Sequence, residues 1–245
     1  MHRDHDGRWS GAAHLRETGG MSEHAGTSVI EIERKYDVGE DSTEPAFVGV
    51  GPIAVVEVPE VRELDAVYYD TADLGLAGAH VALRRREGGP DAGWHIKREA
   101  EEGRLEEHWP LGVDAGAGAS GGGVDAFTEA RASVPQQLRD AVRPLIGDAD
   151  LVPVARVRNH RVVRRLLDAA GYPVAEYCDD HVTGENLASG ASETWREWEV
   201  ELSAAAPDSA RKRAELLQGL EEVVLAAGGH PAKASSKLER ALNAG

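Results

Sequence analysis

The sequence predicts an antiparallel α+β protein in which strands outnumber helices. Most apolar residues recur with a period of two, as in half-buried strands, and only three segments show the spacing of helices. Several of the predicted strands are joined by short turns that contain Gly or Asp. Such turns suit antiparallel neighbours better than the long crossovers of a parallel βαβ protein.

The predicted elements follow one another in a simple order. The nine predicted strands span residues 28–38, 53–58, 64–70, 80–87, 93–99, 104–111, 152–168, 173–183 and 195–203. The three predicted helices span residues 125–145, 208–227 and 235–242. The second helix has the clearest boundaries, because Pro207 precedes it and Gly228 follows it.

Two segments lack apolar periodicity. Residues 1–27 are rich in Gly, His, Glu and Arg and are predicted to be a disordered extension before a single domain at residues 28–243. Residues 112–125 consist largely of Gly, Ala, Asp and Ser and are predicted to be a flexible loop. The loop contains a Gly-x-Gly-x-x-Gly pattern, but neither a buried strand nor an adjoining helix flanks it. A linker is therefore favoured over a dinucleotide site.

The composition limits the classes of function. The chain has 27 basic and 43 acidic residues, a formal charge of −16, which argues against a protein that coats nucleic acid or an anionic membrane. A single cysteine, Cys178, excludes an intramolecular disulfide and a cysteine-based zinc site. No apolar run approaches the roughly 20 residues of a membrane span. The first residues lack an apolar signal region, so we expect a cytoplasmic protein.

Alternation places charged residues together on strand faces, because residues i and i+2 share a face. Glu31, Glu33 and Lys35 share one face of the first strand. In the last strand, Glu197, Glu199 and Glu201 do the same. The other polar groups that share a face are Arg84 with Arg86, His95 with Lys97, Arg104 with Glu106 and His108, and Glu176 with Cys178 and Asp180.

Any one of these strands could present its polar face to water. Three carboxylates in a row, however, repel one another and favour either bulk water or a metal ion. Other strands carry Arg and Lys at the matching alternation, as if one surface held both signs. A closed barrel with a charged interior, covered outside by helices, would produce this pattern. Its carboxylates would bind divalent cations and its basic residues phosphate oxygens.

The segment 31–35, Glu-Ile-Glu-Arg-Lys, resembles the E-x-E-x-K signature of the CYTH family, also called triphosphate tunnel enzymes. Later landmarks resemble the family in the same order. They are Tyr68-Tyr69-Asp70-Thr71, Leu83-Arg84-Arg85-Arg86, Trp94-His95-Ile96-Lys97, residues 161–166, residues 176–180, residues 197–202 and Ser235-Ser236-Lys237-Leu238. The resemblance covers about residues 28–243. It implies a closed, eight-stranded antiparallel barrel, with helices packed outside, through which a linear triphosphate threads.

The resemblance also implies roles for individual residues. The implied phosphate-binding residues are Lys35, Arg84, Arg86, Lys97, Arg161 and Lys237. The implied ligands of Mg²⁺ or Mn²⁺ are Glu31, Glu33, Asp180, Glu199 and Glu201. Glu33, Lys97 and Glu201 are expected to be catalytic. The further acidic residues expected in the tunnel are Glu106 and Glu197, with Glu176 as an outlying candidate.

Two positions stay open. His108 stands where members of the family often have an acidic residue. Arg156 and Arg158 fall on the opposite strand face from Arg161, so the sequence leaves open which of these arginines faces the tunnel.

The function that follows is metal-dependent hydrolysis of a linear triphosphate, foremost inorganic triphosphate or a short polyphosphate. The alternatives are an adenylate cyclase and a non-catalytic module that binds polyphosphate or nucleotide. We expect a small-molecule phosphate as the partner, and neither nucleic acid nor a membrane. The segment 235–242 resembles the junction at which a CYTH domain precedes a helical CHAD domain, so a CHAD domain in a longer chain is a further expected partner. Substrate, metal and oligomeric state are left open.

Overall fold

The computed structural model describes residues 26–112 and 134–245. Three sequence predictions fall partly or wholly outside these residues: residues 1–25 of the extension, residues 113–125 of the loop and residues 125–133 of the first helix. Within the described residues, a mostly antiparallel sheet of eleven strands is accompanied by four helices. None of these helices has both the length and the apolarity required to cross a membrane.

The strands are β1 (Thr27–Glu31), β2 (Glu33–Asp37), β3 (Ile53–Val56), β4 (Glu60–Asp70), β5 (Ala82–Glu87), β6 (Gly93–Glu99), β7 (Arg104–Pro110), β8 (Val152–Asp168), β9 (Pro173–Asn186), β10 (Ser192–Leu202) and β11 (His230–Pro231). The helices are α1 (Gly75–Gly78), α2 (Gln136–Ile146), α3 (Ala210–Ala226) and α4 (Lys237–Leu242). All nine predicted strands are present, and the first is broken at Ile32. The sequence did not predict α1 or β11.

The sheet runs in the order β1-β7-β6-β5-β4-β8-β9-β10-β2-β11, and β3 pairs with β8 outside this path. The break at Ile32 determines which strands pair at the two ends of this path. Before the break, β1 pairs with β7; after it, β2 pairs with β10, and the Ile32 carbonyl accepts the Leu202 amide at 2.9 Å. The two halves of the sheet are thus joined through the chain at this residue.

The predicted closed, eight-stranded barrel is therefore wrong in two respects. The sheet has eleven strands in the described residues, and it is not closed by hydrogen bonds. Alternation could not reveal the break, because Glu31 and Glu33 remain on one face across it. Side-chain period reports which face a residue occupies, whereas closure depends on which strand its backbone pairs with.

Helices α2 and α3 cover the outer face of the sheet, as predicted. Buried Leu138 and Val142 of α2 pack with Leu83, Trp94 and Ile96. The equivalent cluster under α3 contains Leu216, Leu220, Val224, Tyr36, Trp198 and Val200. These apolar positions alternate along their strands with the charged positions, so the charged side chains point to the inner face.

Helix α4 departs from the prediction that the helices pack outside. Its Leu238 and Ala241 pack with Ala66, Tyr68 and Val157, which belong to the inner face. Ser236 caps the N-terminus of the helix, and its hydroxyl accepts the Glu239 amide at 3.1 Å. It therefore presents Lys237 to the interior while its apolar side covers part of the inner wall.

Asp70 organises the turn after β4. Its carboxylate accepts the amides of Thr71 at 2.7 Å, Leu76 at 2.8 Å and Ala77 at 2.8 Å, and it is almost fully buried. These bonds satisfy amides at the start of α1, which would otherwise lack partners. They also place Leu76 against the outer core.

We expect Asp70→Ala to lower the free energy of unfolding by about 3 kcal/mol, because three amides, two of them in buried hydrogen bonds, lose a charged acceptor. Chemical denaturation measures this. The matched control is Asp41→Ala at an exposed position, with an expected change of less than about 0.5 kcal/mol. Equal losses in the two variants would contradict the role given to Asp70.

Candidate active site

The inner face of the sheet encloses a cavity of about 250 Å³. All six predicted phosphate-binding residues line it, together with four of the five predicted metal ligands. Its charged lining residues are Glu31, Glu33, Lys35, Arg62, Arg84, Arg86, Asp91, Lys97, Arg104, Glu106, Arg161, Glu176, Glu199, Glu201 and Lys237. Asp180 and Glu197 are not part of the lining, but they contact Lys237.

Lys237 from α4 holds three buried carboxylates together. Its Nζ lies 2.8 Å from Asp180, 2.5 Å from Glu197 and 2.6 Å from Glu199. The oxygens of these three carboxylates lie within 4.8 Å of one another, which is also a spacing that suits a cation. In this structure the ammonium group supplies the positive charge.

Glu199 is the most heavily compensated carboxylate of the site. Besides Lys237, it pairs with Lys35 and Arg161. Arg161 also donates two hydrogen bonds to Asp180, of 2.7 and 2.6 Å. Burial opposes the ionised form of Glu199, yet the surrounding cations hold its pKa well below the usual range.

A second network joins strands β1, β5, β6 and β7. Lys97 Nζ lies 2.5 Å from Glu31 and 3.5 Å from Glu106. Glu106 also lies 3.2 Å from Arg84 Nη2 and 2.8 Å from Nδ1 of the buried His95. Burial opposes ionisation of Glu106, but its hydrogen bond with Glu31 and the nearby cations lower its pKa to about 2.

Glu201 differs from the other acidic residues of the cavity. Among the described residues, its carboxylate has no hydrogen bond or ion pair, although it lies opposite Glu33 in the register of β10 and β2. Burial, followed by the negative charges of Glu31 and Glu33, raises the pKa of Glu201 to about 8. A partly buried set of three carboxylates with too little positive charge is a place where a divalent cation would be stabilised.

The opposite imbalance occurs at Arg84 and Arg86. In each, the Nε atom is buried and has no hydrogen-bond partner in the described part of the chain. Burial, together with the guanidinium groups of Arg84 and Arg161, lowers the pKa of Arg86 to about 9. Because an arginine stays protonated at neutral pH, this shift describes a surplus of positive potential that an anion would relieve.

Two of the three arginines that the sequence left open, Arg156 and Arg158, lie on the outer face of β8. Arg156 binds Asp65 through bonds of 3.0 and 2.5 Å, and Arg158 is exposed. Of the three arginines that the sequence left open, only Arg161 lines the cavity.

His108 is on the inner side of β7. Its ring lies 4.9 Å from that of His95, and its Nε2 is buried without a partner among the described residues. A side chain at Gly93 would come within 2.3 Å of that Nε2, so this strand position requires glycine.

Sequence reasoning assigned no site role to six polar residues of the lining, namely Arg62, Tyr68, Asp91, Arg104, Asn159 and Ser236. Arg62 was overlooked because β4 begins at Glu60, four residues before the predicted strand. Asn159 shares a strand face with Arg161, so alternation along β8 was the signal that could have found it. Neutral side chains were not considered for the site.

The chain matches the family model of the CYTH domain over residues 29–228. It belongs to the CYTH domain family. Its relatives include two Mycobacterium tuberculosis proteins, the uncharacterized proteins MT2285 of strain CDC 1551 and Rv2226 of strain H37Rv. Each is 38% identical over 226 residues, which cover 88% of this chain and 40% of the relative. This CYTH chain thus spans about two fifths of the length of the relatives it matches.

The comparison with solved structures finds similar chains. A "putative adenylate cyclase" from Bacillus halodurans superimposes with a TM-score of 0.55 at 20% identity, covering 87% of this chain and 97% of that one. HpAC1 from Hippeastrum, described as having a dominant triphosphatase activity, gives a TM-score of 0.46 at 20% identity over 84% of this chain and 93% of its own. The first likeness shows that this CYTH domain has the fold of the Bacillus protein.

We expect the stability of the metal-free CYTH domain to respond to pH through Glu201. The folded chain keeps the Glu201 proton up to about pH 8, whereas the ordinary carboxyl value is 4.5. Between these values the folded state binds more protons than the unfolded state, so this residue lowers the free energy of unfolding as pH rises. Glu201→Gln removes the contribution.

Chemical denaturation in EDTA from pH 4.5 to pH 8 measures the contribution of Glu201 to the free energy of unfolding. The stability of the wild type relative to Glu201→Gln should fall across this range. Glu222→Gln, at an exposed position of α3, is the control that should show no such trend. A difference that is flat or rises with pH would contradict the raised pKa of Glu201.

Proposed function

We propose that this CYTH domain hydrolyses a linear triphosphate in the charged cavity with the help of a divalent cation, Mg²⁺ or Mn²⁺. The observation that carries the proposal is a double imbalance within one cavity. Glu201 is a carboxylate without a partner among the described residues, while Arg84 and Arg86 have buried N–H groups without acceptors. A complex of a cation with a phosphate chain supplies both missing partners.

A triphosphate suits the basic residues of the cavity. It carries about four to five negative charges, and its transition state spreads charge over the transferred phosphoryl oxygens. Guanidinium and ammonium groups fixed around such oxygens act chiefly by positioning and electrostatic stabilisation. The phosphate-binding residues in this proposal are Lys35, Arg84, Arg86, Lys97, Arg161 and Lys237.

The acidic residues of the cavity fit a hard divalent cation. Glu31, Glu33 and Glu201 offer oxygen ligands, and the raised pKa of Glu201 reflects the mutual repulsion that a cation would remove. The two other predicted ligands, Asp180 and Glu199, are held by basic side chains and become available when substrate phosphates draw those cations away. The bound cation would neutralise phosphate charge and polarise the terminal phosphoryl group.

Glu33 and Lys97 are the residues to which the proposal gives catalytic roles. Glu33 lies on β2 beside Glu201 and has one cationic partner, Lys35, at 2.8 Å. In the proposed reaction its carboxylate orients the attacking water and accepts a proton from it. Lys97, which lies between Glu31 and Glu106, donates in this proposal to the oxygens of the departing diphosphate and stabilises their charge.

Helix α4 favours a short substrate. Ser236, Lys237 and Leu238 line the cavity, and Leu238 packs into the inner wall. A long polymer would have to displace this helix and break the contacts of Lys237 with three carboxylates. Inorganic triphosphate or a short polyphosphate avoids that cost.

We expect Glu33→Gln and Lys97→Ala each to lower kcat/KM for inorganic triphosphate by about 100-fold or more, because each removes a group that acts on the transition state. Phosphate release with Mg²⁺ or Mn²⁺ measures this. Glu63→Gln and Arg158→Ala are matched controls on the outer face, expected to change the rate less than twofold. Activity that survives in both cavity variants would contradict the proposed roles.

We expect release of phosphate from inorganic triphosphate to depend on the added Mg²⁺ or Mn²⁺ and to stop in EDTA. The measurement is a panel of triphosphate, short polyphosphate, ATP and thiamine triphosphate, with cyclic AMP assayed in parallel. Production of cyclic AMP without phosphate release would instead identify a cyclase. Tight binding of triphosphate without turnover would identify a binding module, and either result would overturn the proposal.

A further inference from the structure

We propose that His95 is a positioning residue, which holds the Glu106 carboxylate in the orientation that fixes the Arg84 guanidinium for a phosphate. The inference rests on the proposed function and deepens it, because Arg84 is one of the residues assigned to the substrate. His95 itself is not part of the cavity lining, so it acts through its neighbours rather than on the substrate.

The imidazole of His95 is almost completely enclosed by protein, with 1% of the residue exposed. It lies on β6, opposite Arg84 of β5 and His108 of β7. Its Nδ1 lies 2.8 Å from Oε1 of Glu106, and its Nε2 lies 3.0 Å from the backbone oxygen of Asp91. Packing alone does not require such a residue, because an apolar side chain would fill the space without the cost of burying two polar nitrogens.

The two neighbours of the ring decide which nitrogen donates. An ionised carboxylate and a backbone carbonyl both accept hydrogen bonds and have no hydrogen to give. Burial, followed by the charges of Arg84 and Arg86, lowers the pKa of His95, so the neutral ring has a single N–H group. The carboxylate is the charged acceptor and also the closer one. Nδ1 therefore carries the hydrogen and donates to Glu106.

Glu106 is the residue through which His95 reaches the arginine. Its Oε1 lies 2.8 Å from Nδ1 of His95, 3.2 Å from Nη2 of Arg84 and 3.5 Å from Nζ of Lys97. The orientation of this carboxylate thus depends on three neighbours. Arginine and lysine are long side chains with many rotamers, whereas a buried imidazole has few. His95 is therefore the neighbour that sets the orientation of Glu106.

Arg84 depends on Glu106 for its own orientation. Among the described residues, Glu106 is its only ion-pair partner, at 3.2 Å from Nη2. Its Nη1 lies 3.5 Å from the Tyr68 hydroxyl, at the limit of a hydrogen bond, and its Nε has no acceptor in the described part of the chain. A guanidinium group that is already fixed by its Nη2 loses less freedom when it binds a phosphate, and this preorganisation favours both binding and catalysis.

Two substitutions of His95 distinguish a positioning role from packing, because each keeps one half of the imidazole. In His95→Asn the side-chain amide reaches the position of Nδ1 and still donates to Glu106. In His95→Gln the amide reaches the position of Nε2 and no longer does so. Both variants lack the ring. We expect kcat/KM for inorganic triphosphate to fall by about 10-fold or more in His95→Gln and by less than about threefold in His95→Asn.

A double-mutant cycle tests whether His95 acts through Arg84. The dissociation constant of triphosphate, measured by calorimetry in EDTA, requires no turnover. His95→Gln should raise it about 10-fold when Arg84 is present, but less than about twofold in a variant that already carries Arg84→Gln. Glu106→Gln, which keeps the ring and weakens the anchor of Arg84, should raise it by a similar factor and tests the same link where the ring is needed for folding. His181→Gln, at an exposed histidine of β9, is the matched control and should leave it unchanged.

Equal losses in His95→Asn and His95→Gln would overturn the inference, because they would show that only the volume of the ring matters. Equal losses with and without Arg84 would overturn it as well, since His95 would then act on another group. The expected binding pattern without any hydrolysis by the wild type would refute the proposed function and leave the role of His95 intact. Hydrolysis by the wild type with neither pattern would refute the role of His95 alone.

Discussion

The contact on which the site depends is the cluster of buried charges around Lys237. Removing a charge from water costs several kcal/mol unless a partner and further hydrogen bonds compensate it. Lys237 is the cation that Asp180, Glu197 and Glu199 share, because α4 brings its ammonium group within 2.8 Å of each. The cluster therefore fastens the last helix of the described chain to β9 and β10, and it explains why α4 lies on the inner face.

The charged side chains of the cavity are not all paired to the same extent. The groups that lack partners are the ones that could bind a ligand. Around Glu199 the charges are balanced by three cations, so this part of the wall is a stable framework. Among the described residues, Glu201 has no cationic partner, and the Nε atoms of Arg84 and Arg86 have no acceptor. A protein selected only for stability would gain by filling these positions with paired or apolar groups. Keeping them unpaired in one cavity is understandable when a ligand completes them.

The sequence predicted the faces of the strands far better than their connections. Alternation identified the inner residues of β2, β5, β6 and β10, since a period of two is a local property of the chain. It could not reveal the break at Ile32, which alters hydrogen-bond partners while Glu31 and Glu33 keep their face. It placed Lys237 in the site by resemblance, but the inner position of α4 depends on contacts with distant strands.

The sequence could not predict which carboxylates and which arginines of the cavity would lack partners. Glu197, Glu199 and Glu201 look equivalent along β10, yet the first two bind Lys237 and the third has no partner among the described residues. The difference arises because α4 places Lys237 beside Glu197 and Glu199 but not beside Glu201. The sequence did not identify Asn159 for a related reason. A side-chain amide becomes a candidate for ligand binding only when the surrounding structure leaves it without a hydrogen-bond partner.

The acidic composition is compatible with the proposed phosphate substrate, because the net charge and the contacts inside the cavity act over different distances. The net charge of −16 acts at long range, and at physiological salt it is screened beyond about 8 Å. Among the described residues, eight basic and seven acidic side chains line the cavity, so its own balance is nearly neutral. Inside such a cavity, water no longer screens a guanidinium group from a phosphate oxygen, and short contacts decide the affinity. The acidic exterior would repel a long polyanion approaching through solvent. A short phosphate chain carrying a divalent cation has less charge to be repelled and finds its missing partners within a few ångströms of one another.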